Sequence, residues 1–131
     1  MLVICETNPN KEYQIEKIGN VYFCYPQTEA EYLELLFCYN GNNIQSDLNL
    51  YNTYITELPD NLTVEGYLDL GNTNITELPN NLTVNGYLYL NYTNIISLPD
   101  NLTVGGDLYL RNTKLPKDYS IPIGVKGKVY R

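Results

Sequence analysis

The chain has no histidine and no tryptophan, and only three cysteines and one methionine in 131 residues. Without histidine it lacks the side chain that ordinarily accepts protons near neutral pH. No Cys–His cluster has the spacing of a zinc site. No glycine-rich loop runs into Lys-Ser or Lys-Thr, so a phosphate cradle is missing too. Carboxylates such as Glu65 and Asp69 stand close in sequence, but their spacing implies no pocket. Catalysis is therefore not expected, and neither is a cofactor or a metal. Cys5, Cys24 and Cys38 lack paired spacing and read as buried reduced thiols rather than a disulfide framework.

Charge is also scarce, at 18% of residues, and positive charge is absent where most of the chain lies. Residues 42–110 contain no Lys or Arg, only Asp47, Glu57, Asp60, Glu65, Asp69, Glu77, Asp100 and Asp107. Residues 1–41 set Lys11 and Lys17 against six Glu. Residues 111–131 reverse the sign, with Arg111, Lys114, Lys117, Lys126, Lys128 and Arg131 against Asp118. A net charge of -7 argues against nucleic acid or an anionic membrane as partner. It suits a protein partner with a basic surface. The start, Met1-Leu2-Val3-Ile4-Cys5-Glu6, lacks the basic and apolar regions of an export signal, and no apolar run is long enough to span a membrane. A cytoplasmic protein is expected. The Asn-x-Thr triplets at Asn61, Asn74, Asn81, Asn91 and Asn101 then read as turn chemistry rather than glycan sites.

What the chain does have is a 20-residue repeat. Leu58-Pro59-Asp60-Asn61-Leu62-Thr63-Val64 returns at Leu78–Val84 and again at Leu98–Val104. So short a period marks a solenoid, in which each unit buries its apolar side chains against the next. Val64, Leu68 and Leu70 alternate with period two and face inward, and Ile75 and Leu78 point in after a turn at Asn72-Thr73. Gly66 sits at a bend between two short strands. Pro79 with Asn80 and Asn81 makes the next corner before Leu82 returns to the core. The next coils place Val84, Leu88, Leu90, Ile95 and Leu98, then Val104, Leu108 and Leu110, in the same register. Ile44, Ser46, Leu48, Leu50, Thr53, Ile55 and Leu58 form a weaker first copy. The last coil slips by one residue, leaving Val129 and Tyr130 as a final edge strand guarded by Lys126, Lys128 and Arg131. Thr53, Thr73, Thr93 and Thr113 share one position. Their hydroxyls can bond either to backbone at the turn or to one another. Asn61, Asn81 and Asn101 form another column.

Three segments follow. Residues 1–41 are an N-terminal capping segment: strands near Val3-Ile4 and Val21–Tyr25, a turn at Gly19-Asn20, and a helix over about 29–39 entered by a Thr28/Glu31 capping box. Tyr32, Leu35, Leu36 and one of Cys38 or Tyr39 share a face of that helix. Residues 42–113 are the regular solenoid, and residues 114–131 an irregular basic closing coil. The fold class is mainly β, a parallel β-solenoid of about 4–5 coils with a small α+β N-terminal cap.

The unit Leu-x-Leu-x-x-Thr-x-Ile-x-x-Leu-Pro-x-Asn-Leu-x-Val-x-Gly resembles a short leucine-rich repeat of bacterial and phage proteins, clearly over 44–113 and weakly over 114–131. It has Thr73 and Thr93 where leucine-rich repeats usually carry Asn, and a strand around Leu82–Val84 where longer members carry a helix. The expected shape is therefore a straighter solenoid with two or three short parallel sheets. The resemblance implies protein recognition. Some bacterial leucine-rich effectors add a ubiquitin-ligase domain, for which this chain has neither the length nor the cysteine-bearing segment.

Outward positions of the Leu-x-Leu strands hold Tyr67, Tyr87 and Asp107 in one column and Asn49, Asp69, Tyr89 and Tyr109 in another, with Tyr51 and Tyr92 just beyond the strand ends. Coils about 4.8 Å apart would stack Tyr87 on Tyr67, and Tyr89 between Asp69 and Tyr109. Such a strip is either a binding face, since tyrosine offers contact area at low entropic cost, or an aromatic ladder that stabilises the sheet. Tyr51, Tyr67, Asp69, Tyr87, Tyr89, Tyr92, Asp107 and Tyr109 are the candidate site. Three roles are open: a protein-binding adaptor or phage or mobile-element inhibitor of a host protein, an acidic mimic of nucleic acid that blocks a DNA- or RNA-binding defence protein, or a structural protein that assembles through its ends.

Overall fold

Strong periodicity with only two to four apolar positions per segment gives very short strands joined by tight corners. The computed structural model describes the backbones of Leu2–Cys5 (β1), Asn8–Ile18 (β2) and Val21–Cys24 (β3), and all of residues 42–131. The solenoid strands come in pairs, one pair per coil: Asn43–Ile44 (β4) with Asp47–Asn49 (β5), Thr63–Val64 (β6) with Leu68–Asp69 (β7), Thr83–Val84 (β8) with Leu88–Tyr89 (β9), and Thr103–Val104 (β10) with Leu108–Tyr109 (β11). Val129–Tyr130 (β12) closes the array. The protein is thus a mainly β, parallel solenoid of about four turns, with no helix among the described residues. The helix expected at 29–39 lies outside them.

Two sheets form its walls. One has eight strands in the order β1-β2-β3-β5-β7-β9-β11-β12, and the other four in the order β10-β8-β6-β4. From β3 onward every pairing is parallel and in register with the repeat: Leu48, Leu68, Leu88 and Leu108 align, as do Ile44, Val64, Val84 and Val104. The closing coil keeps register through the one-residue slip, since Val125 bridges to Val104, Val129 pairs with Leu108 and Tyr130 with Tyr109. Strand β2 is an addition to the sequence reading. Its polar run, Asn-Pro-Asn-Lys-Glu, hides its character. It is a strand because antiparallel partners, β1 and β3, flank it on both sides.

The inward positions make one continuous core. Leu68, Leu70, Ile75, Leu82, Leu88, Leu90 and Ile95 are fully shielded from solvent. Leu115, Tyr119, Ile121, Val125 and Val129 close its C-terminal end. The phenol of Tyr119 reinforces this closure by donating to Leu98 O (3.1 Å) and accepting from Leu98 N (2.9 Å).

The polar columns serve the corners. The hydroxyls of Thr53, Thr73, Thr93 and Thr113 each donate to the carbonyl three residues earlier, at 2.7, 2.7, 2.7 and 3.0 Å. Of the two open possibilities for this column, the turn backbone takes the bond. Asn side chains instead link coil to coil, Asn101 to Asn81 and Asn81 to Asn61 at 2.9 Å each. Asn61 and Asn81 have left-handed backbones, φ 62° and 58°, which Asn tolerates better than other chiral residues.

Candidate functional site

The eight-stranded sheet turns the side chains between its inward leucines to solvent, and on its C-terminal half those side chains are tyrosines. Tyr89 stacks on Tyr109 with ring centroids 4.7 Å apart and planes inclined by 14°. Tyr109 stacks in turn on Tyr130 at 4.9 Å and 11°. These spacings equal the separation of neighbouring strands, so in-register pairing imposes the stack. Tyr67 meets Tyr89 edge-on at 5.8 Å. Tyr87 presents an edge to both Tyr89 (6.3 Å) and Tyr109 (6.4 Å). Five rings form a single aromatic surface, and Tyr87 and Tyr130 remain 46% and 44% exposed.

One expected contact is corrected. Tyr87 does not stack on Tyr67; its ring leans the other way, over the next coil. A Cβ placed on Gly106 would lie 2.7 Å from Tyr87 Cδ1, so the bare glycine is the floor on which the ring rests. Tyr67 is left to pack diagonally against Tyr89. Tyr130 is the ring the sequence reading left out of the site. The signal was present in the 21-residue spacing that aligns it with Tyr109.

The acidic members do different work. Asp69 Oδ1 accepts from Gly71 N (2.8 Å), as Asn49 Oδ1 does from Tyr51 N (3.0 Å), tightening the turn after each strand. Asp107 Oδ1 accepts from Lys128 N (2.8 Å) in the next coil. Asp47, outside the candidate set, does the same for Tyr67 N (2.8 Å). Asp47 and Asp107 thus supply an acceptor that tyrosine at the same position cannot offer. Burial holds the Asp69 carboxyl above the usual carboxylate range against the opposing Gly71 bond. Burial likewise raises the phenols of Tyr67, Tyr89 and Tyr109, with Asp47 and Asp69 adding at Tyr67 and Asp107 at Tyr109. Raised in this way, the phenols of Tyr67, Tyr89 and Tyr109 stay neutral hydrogen-bonding groups at physiological pH.

Tyr51 and Tyr92 stand apart from the ring cluster. Tyr51 is exposed and lies over Gly71, where a Cβ would come within 2.9 Å of its ring. Tyr92 is 55% exposed and has φ 60°. The equivalent positions hold Asn52, Asn72 and Asn112, with φ 59°, 52° and 56°. A tyrosine there bears backbone strain that Asn largely avoids. Tyr92→Asn is expected to stabilise the fold by about 1 kcal/mol, read as a higher denaturant midpoint with an unchanged slope. A midpoint that stays put or falls would show that the Tyr92 ring has packing worth more than the strain.

Among the described residues no group of His, Cys, Asp or Glu is placed to hold a metal ion, and no helix is long and apolar enough to cross a membrane. Searches against protein-family models, curated proteins and solved structures find no match to the chain.

Proposed function

We propose that this solenoid is a non-catalytic protein-binding scaffold whose contact surface is the tyrosine face of its larger sheet. The observation that carries the reading is the continuity of that surface: five rings in mutual contact on one wall, two of them near half exposed. Aromatic side chains anchored on rigid strands lose little entropy on binding and dominate interface energies. The resemblance to short leucine-rich repeats of bacterial and phage proteins extends this to an inhibitor of a host protein, acting in the host cytoplasm. Mimicry of nucleic acid has weaker support, because Asp47, Asp69 and Asp107 spend an oxygen each on backbone N–H groups and the carboxylates do not recur at every coil.

Tyr87→Ala tests the reading. Tyr87 meets the other rings only edge-on and is 46% exposed, so its loss is expected to leave the thermal midpoint within a few degrees of the parent. Capture of a partner from host lysate, quantified by mass spectrometry, is expected to fall about thirtyfold or more, the effect of losing one aromatic hot spot. Weakened folding with intact capture would make the rings a sheet-stabilising ladder only. A captured basic nucleic-acid-binding protein released by added DNA would favour mimicry instead.

A further inference from the structure

The aromatic surface ends at β12, and this end differs from the rest of the wall in charge and in backbone pairing. β12 is the last strand of the eight-stranded sheet. Leu108 N donates to Lys128 O (2.8 Å) and Leu110 N to Tyr130 O (2.7 Å), so both of those residues turn their hydrogen-bonding groups toward β11. The alternation of a parallel ladder then aims the N–H and C=O of Val129 away from the sheet. Among the described residues, no further ring stacks on the outer side of Tyr130. Beside it lies a cleft of about 530 Å³ lined by Tyr89, Tyr109, Tyr130, Val129, Arg111 and Arg131, among others.

The two arginines give the cleft its chemistry. The Arg131 guanidinium donates to the carbonyls of Lys117 (2.6 Å), Tyr119 (2.7 Å) and Pro116 (3.3 Å). Those bonds hold it in place but do not neutralise it, since carbonyls carry no net charge. Arg111 enters the hydrogen-bond pattern through its main-chain N–H, which donates to Asn91 Oδ1 (2.8 Å), and the residue is exposed and lines the cleft. Lys126 and Lys128 flank the strand. Positive charge therefore gathers at one sheet edge of a chain whose net charge is -7. Basic residues on an edge oppose pairing with another copy of that edge. They do not oppose an acidic strand.

Resting on the binding-face reading above, we propose that the partner engages β12 through an extended acidic segment. That segment adds one strand to the sheet, pairs with Val129 through its backbone, lays an aromatic or apolar side chain on Tyr130, and places a carboxylate between Arg111 and Arg131. Strand addition supplies affinity through the main chain, and the arginines select for acid through charge-assisted bonds.

The probe is an end-capped hexapeptide of alternating valine and glutamate with one central tyrosine; its control has lysine for glutamate. The acidic peptide is expected to bind at least about tenfold more tightly than the control, to weaken as salt rises, and to slow amide exchange at Val129. Arg111→Glu is expected to weaken it by about tenfold or more at an unchanged thermal midpoint. Lys128→Glu repeats the charge reversal immediately before the strand. Equal binding of the two peptides, wild-type affinity in both variants, or an unaltered Val129 amide would overturn the proposal. So would concentration-dependent self-association of the free protein that Arg111→Glu abolishes, since the edge would then belong to a second copy. If Tyr87→Ala still loses the captured partner while the peptide result is negative, the tyrosine face stands and only the edge assignment falls.

Discussion

Leu90→Ala is expected to destabilise the protein by about 3–5 kcal/mol, the upper part of the range for truncating a buried leucine. Leu90 is wholly buried in the third full coil, with Leu70 at the equivalent place in the coil before and Leu110 in the coil after. A globular core can close a cavity from many directions. Here the neighbouring side chains sit on strands whose spacing is set by backbone bonds, such as Leu70 N to Tyr89 O and Leu90 N to Tyr109 O at 2.9 Å each. Those bonds resist collapse along the solenoid axis, so most of the cavity persists. For a single domain with about 5–15 kcal/mol in hand, the loss is a large fraction of the total and lowers the melting temperature by about 10 °C or more. Leu110→Ala is the control. Leu110 is 4% exposed and is followed only by the irregular closing coil, so its cost is expected to be smaller. Denaturant unfolding of both variants measures the difference. Because each coil contacts only its neighbours, the central change is also expected to broaden the transition by uncoupling the two halves. A central cost below about 1 kcal/mol would mean that the coils do not share one interior.

Gly86→Ala is expected to cost about 2–3 kcal/mol, although exchanging a surface glycine for alanine often stabilises a protein slightly. The backbone of Gly86 is not in the left-handed region, so conformation does not demand glycine. Space does. A Cβ would stand 2.8 Å from Gly66 C, 2.9 Å from Gly66 O and 2.9 Å from Tyr67 N, all backbone atoms of the preceding coil. Gly86 N also donates to Gly66 O at 2.9 Å, so relieving the clash would break a bond that ties the two coils together. Gly71→Ala offers the comparison. Its Cβ would meet side-chain rather than backbone atoms, the Tyr51 ring at 2.9 Å, which can rotate aside, and Asp69 Oδ1 at 3.0 Å. A cost for Gly86→Ala no greater than for Gly71→Ala, from chemical unfolding of both, would show that the coils can part by a few tenths of an ångström without penalty.

The two substitutions test the scaffold on which the functional reading stands. The ring stack at Tyr89, Tyr109 and Tyr130 follows from strands held in register at fixed spacing, and a change that loosens the coils would disorder it. The edge-on and stacked ring pairs each add about 0.5–1.5 kcal/mol beyond burial, so the face also stabilises the wall that presents it. Tyr87→Ala is informative because Tyr87 is the most exposed ring of the cluster. Tyr89→Ala would remove a stacked pair and change folding and binding together.

The register of the inner leucines, the one-residue slip at the closing coil and Val129-Tyr130 as its edge strand were all legible in the sequence. A 20-residue period leaves one economical way to bury six or so apolar side chains per coil. Strand β2 was not legible, because its polar residues carry no alternation strong enough to announce it and its pairing comes from β1 and β3. The candidate face was half legible. Period-two alternation placed Tyr67, Tyr87, Tyr89 and Tyr109 on one wall, but spacing says nothing about which way a ring leans.

From residues alone came the repeat, the inward column of Leu68, Leu88 and Leu108, and the outward tyrosines, because side-chain periodicity is a local property of the backbone. Only the tertiary structure decided that Tyr87 rests on Gly106 rather than on Tyr67, that Tyr130 completes the stack, and that Asp69 and Asp107 serve backbone N–H groups. Apart from the Asp69 bond, which closes a local turn, these contacts depend on atoms 20 or so residues apart meeting across coils, where free space and unpaired hydrogen-bond donors, rather than pattern, select the contact.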